Sequence, residues 1–159
     1  MDGQENQMQL VTFQLGTELY GIDIMQVKEI QKITEIRAIP NAPAYVEGIF
    51  NLRGIIIPII NLHKRFQIRR AVMDENEELL SGFLILELDG MAVGIFIDKV
   101  VRVVTVDIDA IQPPPHMLAG IGTEYIQGVT KEDSGYLIIL DVKRLFDRKE
   151  LQQLGRLGG

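Results

Sequence analysis

The chain has no cysteine and no tryptophan, and aromatic residues make up only 6% of its 159 positions. Without cysteine there is no disulfide, no thiolate nucleophile and no sulfur-ligated zinc. A basic excess is missing too: 16 Lys and Arg stand against 22 Asp and Glu, a formal net charge of −6. The basic residues are scattered along the chain apart from pairs such as Lys64-Arg65 and Arg69-Arg70. A small barrel that binds nucleic acid needs a basic face carrying aromatic rings, so nucleic acid and anionic membrane are poor partners for this chain. No apolar run approaches the length of a membrane span. The longest, residues 55–60, is strand-sized and interrupted by Pro58. The first residues are polar and acidic, unlike a signal peptide, so a cytoplasmic protein without direct membrane insertion is expected.

The residues of catalysis are equally sparse. Nucleophilic chemistry needs a Ser, Thr or Cys held beside a base. The only serines are Ser81 and Ser134, both in expected turns. His63 lies beside Lys64 and His116 follows three prolines; neither has a partner in a motif, and both are expected to be solvated surface residues. There is no Gly-x-Gly-x-x-Gly and no Gly-Lys-Ser/Thr phosphate loop. Gly120-Ile121-Gly122 reads as a flexible turn, and Asp107-Ile108-Asp109 lacks the further ligands of an oxygen-ligand metal site. No catalytic residue, metal or cofactor is therefore expected. A dispersed carboxylate pair stays open, because such pairs need not be close in sequence.

What is present is core material and a repeat. Hydrophobic residues make up 47% of the chain and charged residues 24%, ample for one domain or two very small ones. Gly21-Ile22-Asp23-Ile24, with Val27 and Ile30, recurs 73 positions later as Gly94-Ile95-Phe96-Ile97, with Val100 and Val103. Glu47-Gly48-Ile49 and Ile59-Ile60-Asn61-Leu62 recur at an offset of 80 as Gln127-Gly128-Val129 and Ile139-Leu140-Asp141-Val142. The change of offset marks an insertion near residues 117–125. Two copies suggest a duplicated small unit.

Each copy reads as about five short strands with turns every eight to twelve residues, the pattern of a small barrel. Expected strands are 10–15, 19–24, 36–39, 46–52 and 55–62, then 83–88, 92–97, 100–106, 126–130 and 136–142. The spacing of Val27, Ile30 and Ile33 predicts a helical turn. Residues 143–154 read as a terminal helix, and the acidic stretch 74–78 as the boundary between the copies. The run at 55–60 is apolar on both faces, so its second face needs cover from the other barrel, the terminal helix or a partner. Arg53 lies at the turn between two apolar strands and is either a solvated turn residue or an interface anchor. Glu29 between Val27 and Ile30 is similarly open.

The motifs Val27-Lys28-Glu29-Ile30, Ile39-Pro40-Asn41-Ala42-Pro43 and Glu47-Gly48-Ile49-Phe50-Asn51-Leu52-Arg53-Gly54, followed by apolar residues to Leu62, closely resemble the chemotaxis coupling family, CheW. The resemblance continues through Gly94-Ile95-Phe96-Ile97-Asp98-Lys99-Val100, Gly128 and Leu140-Asp141, nearly the whole chain. It implies a mostly β fold of two SH3-like five-stranded barrels with a C-terminal helix. The expected layout is one such domain over 8–145, with a first barrel at 8–72, a second at 79–142, a helix at 143–154, and flexible ends at 1–7 and 155–159. The resemblance further implies a non-enzymatic adaptor that joins the histidine kinase CheA, through its regulatory domain, to the cytoplasmic tips of methyl-accepting chemotaxis receptors at membrane-associated arrays. The receptor-contact positions it places here are Val27, Glu29, Gly48, Arg53 and Gly54; Ile33, Ile36 and Ile39 are the candidate kinase contacts. A coupling protein of another kinase pathway would carry the same motifs.

Overall fold

The computed structural model describes residues 6–32, 36–66, 82–88, 90–114, 125–132, 135–146 and 148–158. Among the described residues, ten strands and two α-helices run in the order β1 (Gln7–Leu15), β2 (Glu18–Asp23), β3 (Val27–Lys32), β4 (Val46–Leu52), β5 (Ile55–Asn61), α1 (Leu62–Phe66), β6 (Gly82–Leu88), β7 (Met91–Ile97), β8 (Lys99–Asp107), β9 (Ile126–Glu132), β10 (Gly135–Leu140) and α2 (Arg148–Gly158). Period-2 alternation appears in the edge strand β3, whereas β5, β6 and β10 carry runs of consecutive buried residues and so bury both faces.

The strands form two five-stranded sheets with orders β8-β1-β2-β10-β9 and β3-β6-β7-β5-β4. Sequence correspondence pairs β1 with β6, β2 with β7, β3 with β8, β4 with β9 and β5 with β10. Under that correspondence the two orders are identical, so the two sheets share one topology. Each closes into a small barrel through a bridge between the segment after its edge strand and the opposite edge: Arg37 with Ile49 in one, Gln112 with Val129 in the other.

The duplication therefore does not divide the molecule at residues 72–79. The barrel of β3–β7 is built from residues 27–97, and the other takes β1 and β2 together with β8, β9 and β10. Each copy gives its first hairpin to the barrel that holds the last three strands of the other copy. The physical reason is that similar copies offer similar pairing edges: a hairpin fits three strands of either copy, and the sequence pattern is the same in both cases. The expected boundary at 74–78 lies outside the described residues.

The main core lies between the barrels. Val11, Phe13, Leu15, Tyr20 and Ile22 from one sheet meet Ile60, Leu84, Leu86, Val93, Ile95 and Ile97 from the other in a single buried cluster. Each barrel also has a small cluster of its own: Leu10, Val106, Leu137 and Ile139 in one, Ile57, Ile59, Phe83 and Ile85 in the other. The apolar strand β5 thus spends Ile57 and Ile59 inside its barrel and Ile60 against the second, while Ile55 and Ile56 stay exposed.

Three local expectations change, the first being that the strand expected at 36–39 is reduced to the single bridge of Arg37 with Ile49. Val27, Glu29 and Gln31 are half-buried while Lys28, Ile30 and Lys32 are exposed, so the segment is strand β3. The helical turn sits just before it, a 3-10 turn at Ile24–Gln26 capped by the Asp23 carboxylate, which accepts the Met25 N–H at 3.0 Å. The terminal segment begins as a 3-10 turn, Val142–Arg144, capped by Asp141; α2 follows only at Arg148 and runs on to Gly158, through residues expected to be a loose end.

Arg65 on α1 fastens α2 to this frame. Its guanidinium pairs with the Glu150 carboxylate, donates to Leu145 O at 2.8 Å, and lies 4.8, 5.5 and 5.1 Å from the rings of Tyr45, Tyr125 and Phe146. Burial works against its charge, and the Glu150 carboxylate outweighs that cost, so its pKa stands above the ordinary arginine value.

Candidate functional site

The β4–β5 hairpin turns on two residues, with Leu52 opposite Ile55. Arg53 has φ +50° and Gly54 φ +89°. Positive φ at both positions is the geometry whose twist matches that of the flanking strands. Asn51 Oδ1 accepts the Gly54 N–H at 2.8 Å and braces the turn. Gly54 has open space around it, so only its backbone conformation argues for glycine.

The left-handed backbone at Arg53 aims its side chain at β3, the far edge of the same sheet. Its guanidinium meets Glu29 with both arms: Nη2 to Oε2 at 2.7 Å and Nη1 to Oε1 at 3.3 Å. Glu29 also accepts from Gln31 Nε2. The hydrogen bond from Arg53 is the main reason that the Glu29 carboxyl lies below its ordinary pKa; Glu29 in turn raises Arg53. Arg53 is 71% exposed, so this pair is a presented surface feature, screened by salt. Val27 and Glu29 flank an irregularity in the β3–β6 register, which re-aims β3 at this point. Val27 is half-buried against the core between the barrels.

Gly48 behaves differently from its neighbours. It is buried on β4 with φ +154°, and a Cβ there would lie 2.3 Å from the Arg37 carbonyl oxygen. It presents no side chain to a partner. Its hydrogen lets the segment of Ile36 and Arg37 lie flat on β4, where Arg37 N donates to Ile49 O at 2.9 Å and Ile49 N donates to Arg37 O at 2.8 Å. The structure thus joins Glu29 to Arg53 directly, puts Gly54 beside them, and places Gly48 beneath the strap that closes the barrel.

Next to that strap is an open cleft of about 490 Å³ lined by Ile36, Arg37, Ile49, Asn51 and Ile56. Ile36 packs partly on the barrel's own apolar cluster, and Ile39 is half-buried outside the cleft lining. Ile33 lies outside the described residues. Arg37, Asn51 and Ile56 were not singled out from sequence. Ile56 was legible as the unpaired face of an apolar strand, whereas nothing local marks Arg37, which gains its place only through the long-range bridge to Ile49.

A larger cleft of about 640 Å³ is lined by Gln7, Met8, Gln9, Asp23, Ile24, Met25 and Thr105. Among its described lining residues the one carboxylate, Asp23, caps the Met25 N–H. Among the described residues no group of three or more His, Cys, Asp or Glu is placed to hold a metal ion, and no helix is long and apolar enough to cross a membrane.

One expectation is overturned. His63 is not a solvated surface residue: it is 6% exposed, with Nε2 2.9 Å from the fully buried Asp98 carboxylate. Its position at the start of α1, directly after β5, turns the ring inward against Phe96, 5.9 Å away.

Two small barrels that share a core and carry exposed apolar strand ends beside a fixed ion pair define a binding module of the adaptor class. The CheW-like domain family matches residues 9–150, and the chain belongs to that family. It is 57% identical over 153 residues to a chemotaxis protein CheW of Treponema pallidum, covering 96% of this chain and 90% of that one. It is 33% identical over 149 residues to a chemotaxis protein CheW of Klebsiella aerogenes, covering 94% and 87%. The crystal structure of the scaffolding protein TtCheW from Thermoanaerobacter tengcongensis superposes with a TM-score of 0.79 at 38% identity, over 90% of both chains. The fold is thus two SH3-like barrels with a C-terminal helix, and the protein is a chemotaxis adaptor of a scaffold family.

Proposed function

We propose that the chain is a non-enzymatic coupler that binds the cytoplasmic tip of methyl-accepting receptors and the regulatory domain of the kinase CheA, and passes the receptor's state to the kinase. The observation that carries this reading is the presented Glu29–Arg53 pair at the closed seam of one barrel, with Val27 and Gly54 beside it. A fixed guanidinium–carboxylate pair offers both donors and acceptors to a helical hairpin, and Arg is favoured at such anchors. The adjoining cleft of Ile36, Arg37, Ile49, Asn51 and Ile56 supports an apolar kinase contact through Ile36, to which Ile33 and Ile39 belong as proposed neighbours. In this reading its partners bring the protein to membrane-associated arrays. Contacts of micromolar strength, about −8 kcal/mol each, suffice where many are linked in an array.

Arg53→Glu tests the receptor half. The variant places two carboxylates together at the seam, so affinity for a receptor-tip fragment falls at least tenfold, measured by calorimetric titration. Its melting temperature moves by no more than about 3 °C, because an exposed turn charge rarely controls stability. Undiminished receptor binding, or a melting shift as large as that of a core variant, contradicts the assignment.

A further inference from the structure

Each barrel carries an ion pair across its seam, and the two pairs are built in opposite order. In the β3–β7 barrel the Glu29 carboxylate stands on the edge strand β3 and the Arg53 guanidinium at the tip of the β4–β5 hairpin, 2.7 Å apart. In the other barrel the residue 73 positions after Glu29 is Arg102, on the edge strand β8. Its guanidinium lies 3.9 Å from the carboxylate of Glu132, at the hairpin end of β9 and 80 positions after Leu52. The registers agree with this equivalence. Glu29 faces Ile85 and Arg102 faces Thr12, positions that are themselves 73 apart; Leu52 faces Ile55 as Glu132 faces Gly135.

The rest of the two seams is alike. Ile30 and Val103, equivalent on the edge strands, are 51% and 50% exposed, and Ile56 and Tyr136, equivalent on β5 and β10, are both exposed. In both pairs the guanidinium is the exposed member and the carboxylate the sheltered one. Topology, apolar surface and exposure therefore do not tell the barrels apart. The end of the pair that is anionic does. One seam runs from negative at the edge strand to positive at the hairpin, and the other runs from positive to negative. The Glu29–Arg53 pair is also a hydrogen-bonded fork of fixed geometry, whereas the Arg102–Glu132 contact lies beyond hydrogen-bond reach.

We propose that the order of charge across the seam is the specificity determinant that directs the receptor tip to the β3–β7 barrel and turns it away from the other. The inference rests on the reading of the Glu29–Arg53 seam as the receptor contact. A helical hairpin docked there sets a cation or N–H donor against Glu29 and a carboxylate or other acceptor against Arg53. Laid on the other barrel in the same pose, those groups face Arg102 and Glu132, and each meets its own sign. Attraction favours the first seat and like-charge repulsion excludes the second. A duplicated fold needs such a device, because two barrels of one topology with matching apolar surface otherwise offer one partner two seats. Both pairs are exposed to salt, so the discrimination narrows as ionic strength rises.

The test exchanges charges and leaves the net charge of the chain unchanged. Glu29→Arg together with Arg53→Glu keeps an ion pair at the first seam and reverses its order. In calorimetric titration with a receptor-tip fragment, its affinity is expected to be about tenfold lower than that of the native chain, with a melting temperature within about 3 °C of native. Undiminished affinity means that the pair serves the barrel and not the choice of seat, and overturns the proposal. Arg102→Glu together with Glu132→Arg gives the second seam the order of the first. The expected stoichiometry then rises from one tip per chain to two, and a stoichiometry that stays at one overturns the proposal as well. If the first exchange does not fold, the second, made in a chain whose Glu29–Arg53 seam is untouched, decides alone. A native chain that binds no receptor tip removes the receptor reading and the proposal with it, and the titration of the native chain separates that result from either failure above.

Discussion

Arg53 adopts a backbone conformation that few side chains other than glycine enter, and it does so at the one turn from which its guanidinium reaches the opposite edge of its sheet. The consequence is readable in its partner. Because the Arg53 hydrogen bond, and secondarily its charge, hold Glu29 in the ionised form, the Glu29 carboxyl titrates below the ordinary glutamate range. The sign follows: the pair is intact above that range and is lost as pH falls through the lowered midpoint. Arg53→Ala should move the Glu29 midpoint upward, followed by the carboxyl carbon resonance, and added salt should move it the same way in the native chain. An Arg53→Ala midpoint unchanged from the native one would show that the two side chains do not meet in solution. Sequence made Arg53 and Glu29 visible as polar residues in apolar surroundings. It did not pair them, because they are 24 residues apart and meet only when the barrel closes. The buried place of His63 is not legible in the sequence for a related reason: its partner Asp98 is 35 positions away and in the other copy of the repeat.

At the scale of elements, the strap of Ile36 and Arg37 on β4 and its counterpart, Ile111 and Gln112 on β9, are the parts that turn open sheets into barrels. Both rest on a glycine, but unequally. A Cβ at Gly48 meets backbone, the Arg37 oxygen at 2.3 Å, whereas a Cβ at Gly128 first meets the Ile111 side-chain methyl at 2.4 Å and backbone only at 2.9 Å. Both glycines lie under a bridge carbonyl, but that carbonyl is met more deeply at Gly48, 2.3 Å against 2.9 Å at Gly128, and only Gly48 of the two has a positive φ. Gly48→Ala should therefore cost about 2–3 kcal/mol and Gly128→Ala about 1 kcal/mol, measured by urea unfolding. Equal costs would mean that the first strap lifts away freely. The repeat in the sequence made both glycines legible as equivalent. Their different burdens depend on backbone approach, which residue identity does not encode. The misreading of β3 has the same character: Val27, Ile30 and Ile33 are spaced like a helix face, yet Ile30 is 51% exposed and the strand's alternation prevails.

For the whole molecule, the sequence disclosed two copies and nine of the ten described strands, with a helical turn expected in place of β3, but not which strands share a barrel. Exchange of the first hairpins places a single large core between the barrels and leaves each interior small. The two barrels are consequently one structural unit, tied further by Arg65 and Glu150 across α1 and α2. That unity suits an adaptor, since a partner bound at the Glu29–Arg53 seam and one bound at the cleft beside it press on the same rigid frame. The most direct measurement is a calorimetric titration of the kinase regulatory domain into the chain, alone and after saturation with a receptor-tip fragment. The account predicts that the kinase domain binds in both cases, so that all three are held together. Displacement of one partner by the other, or binding of neither, would contradict it.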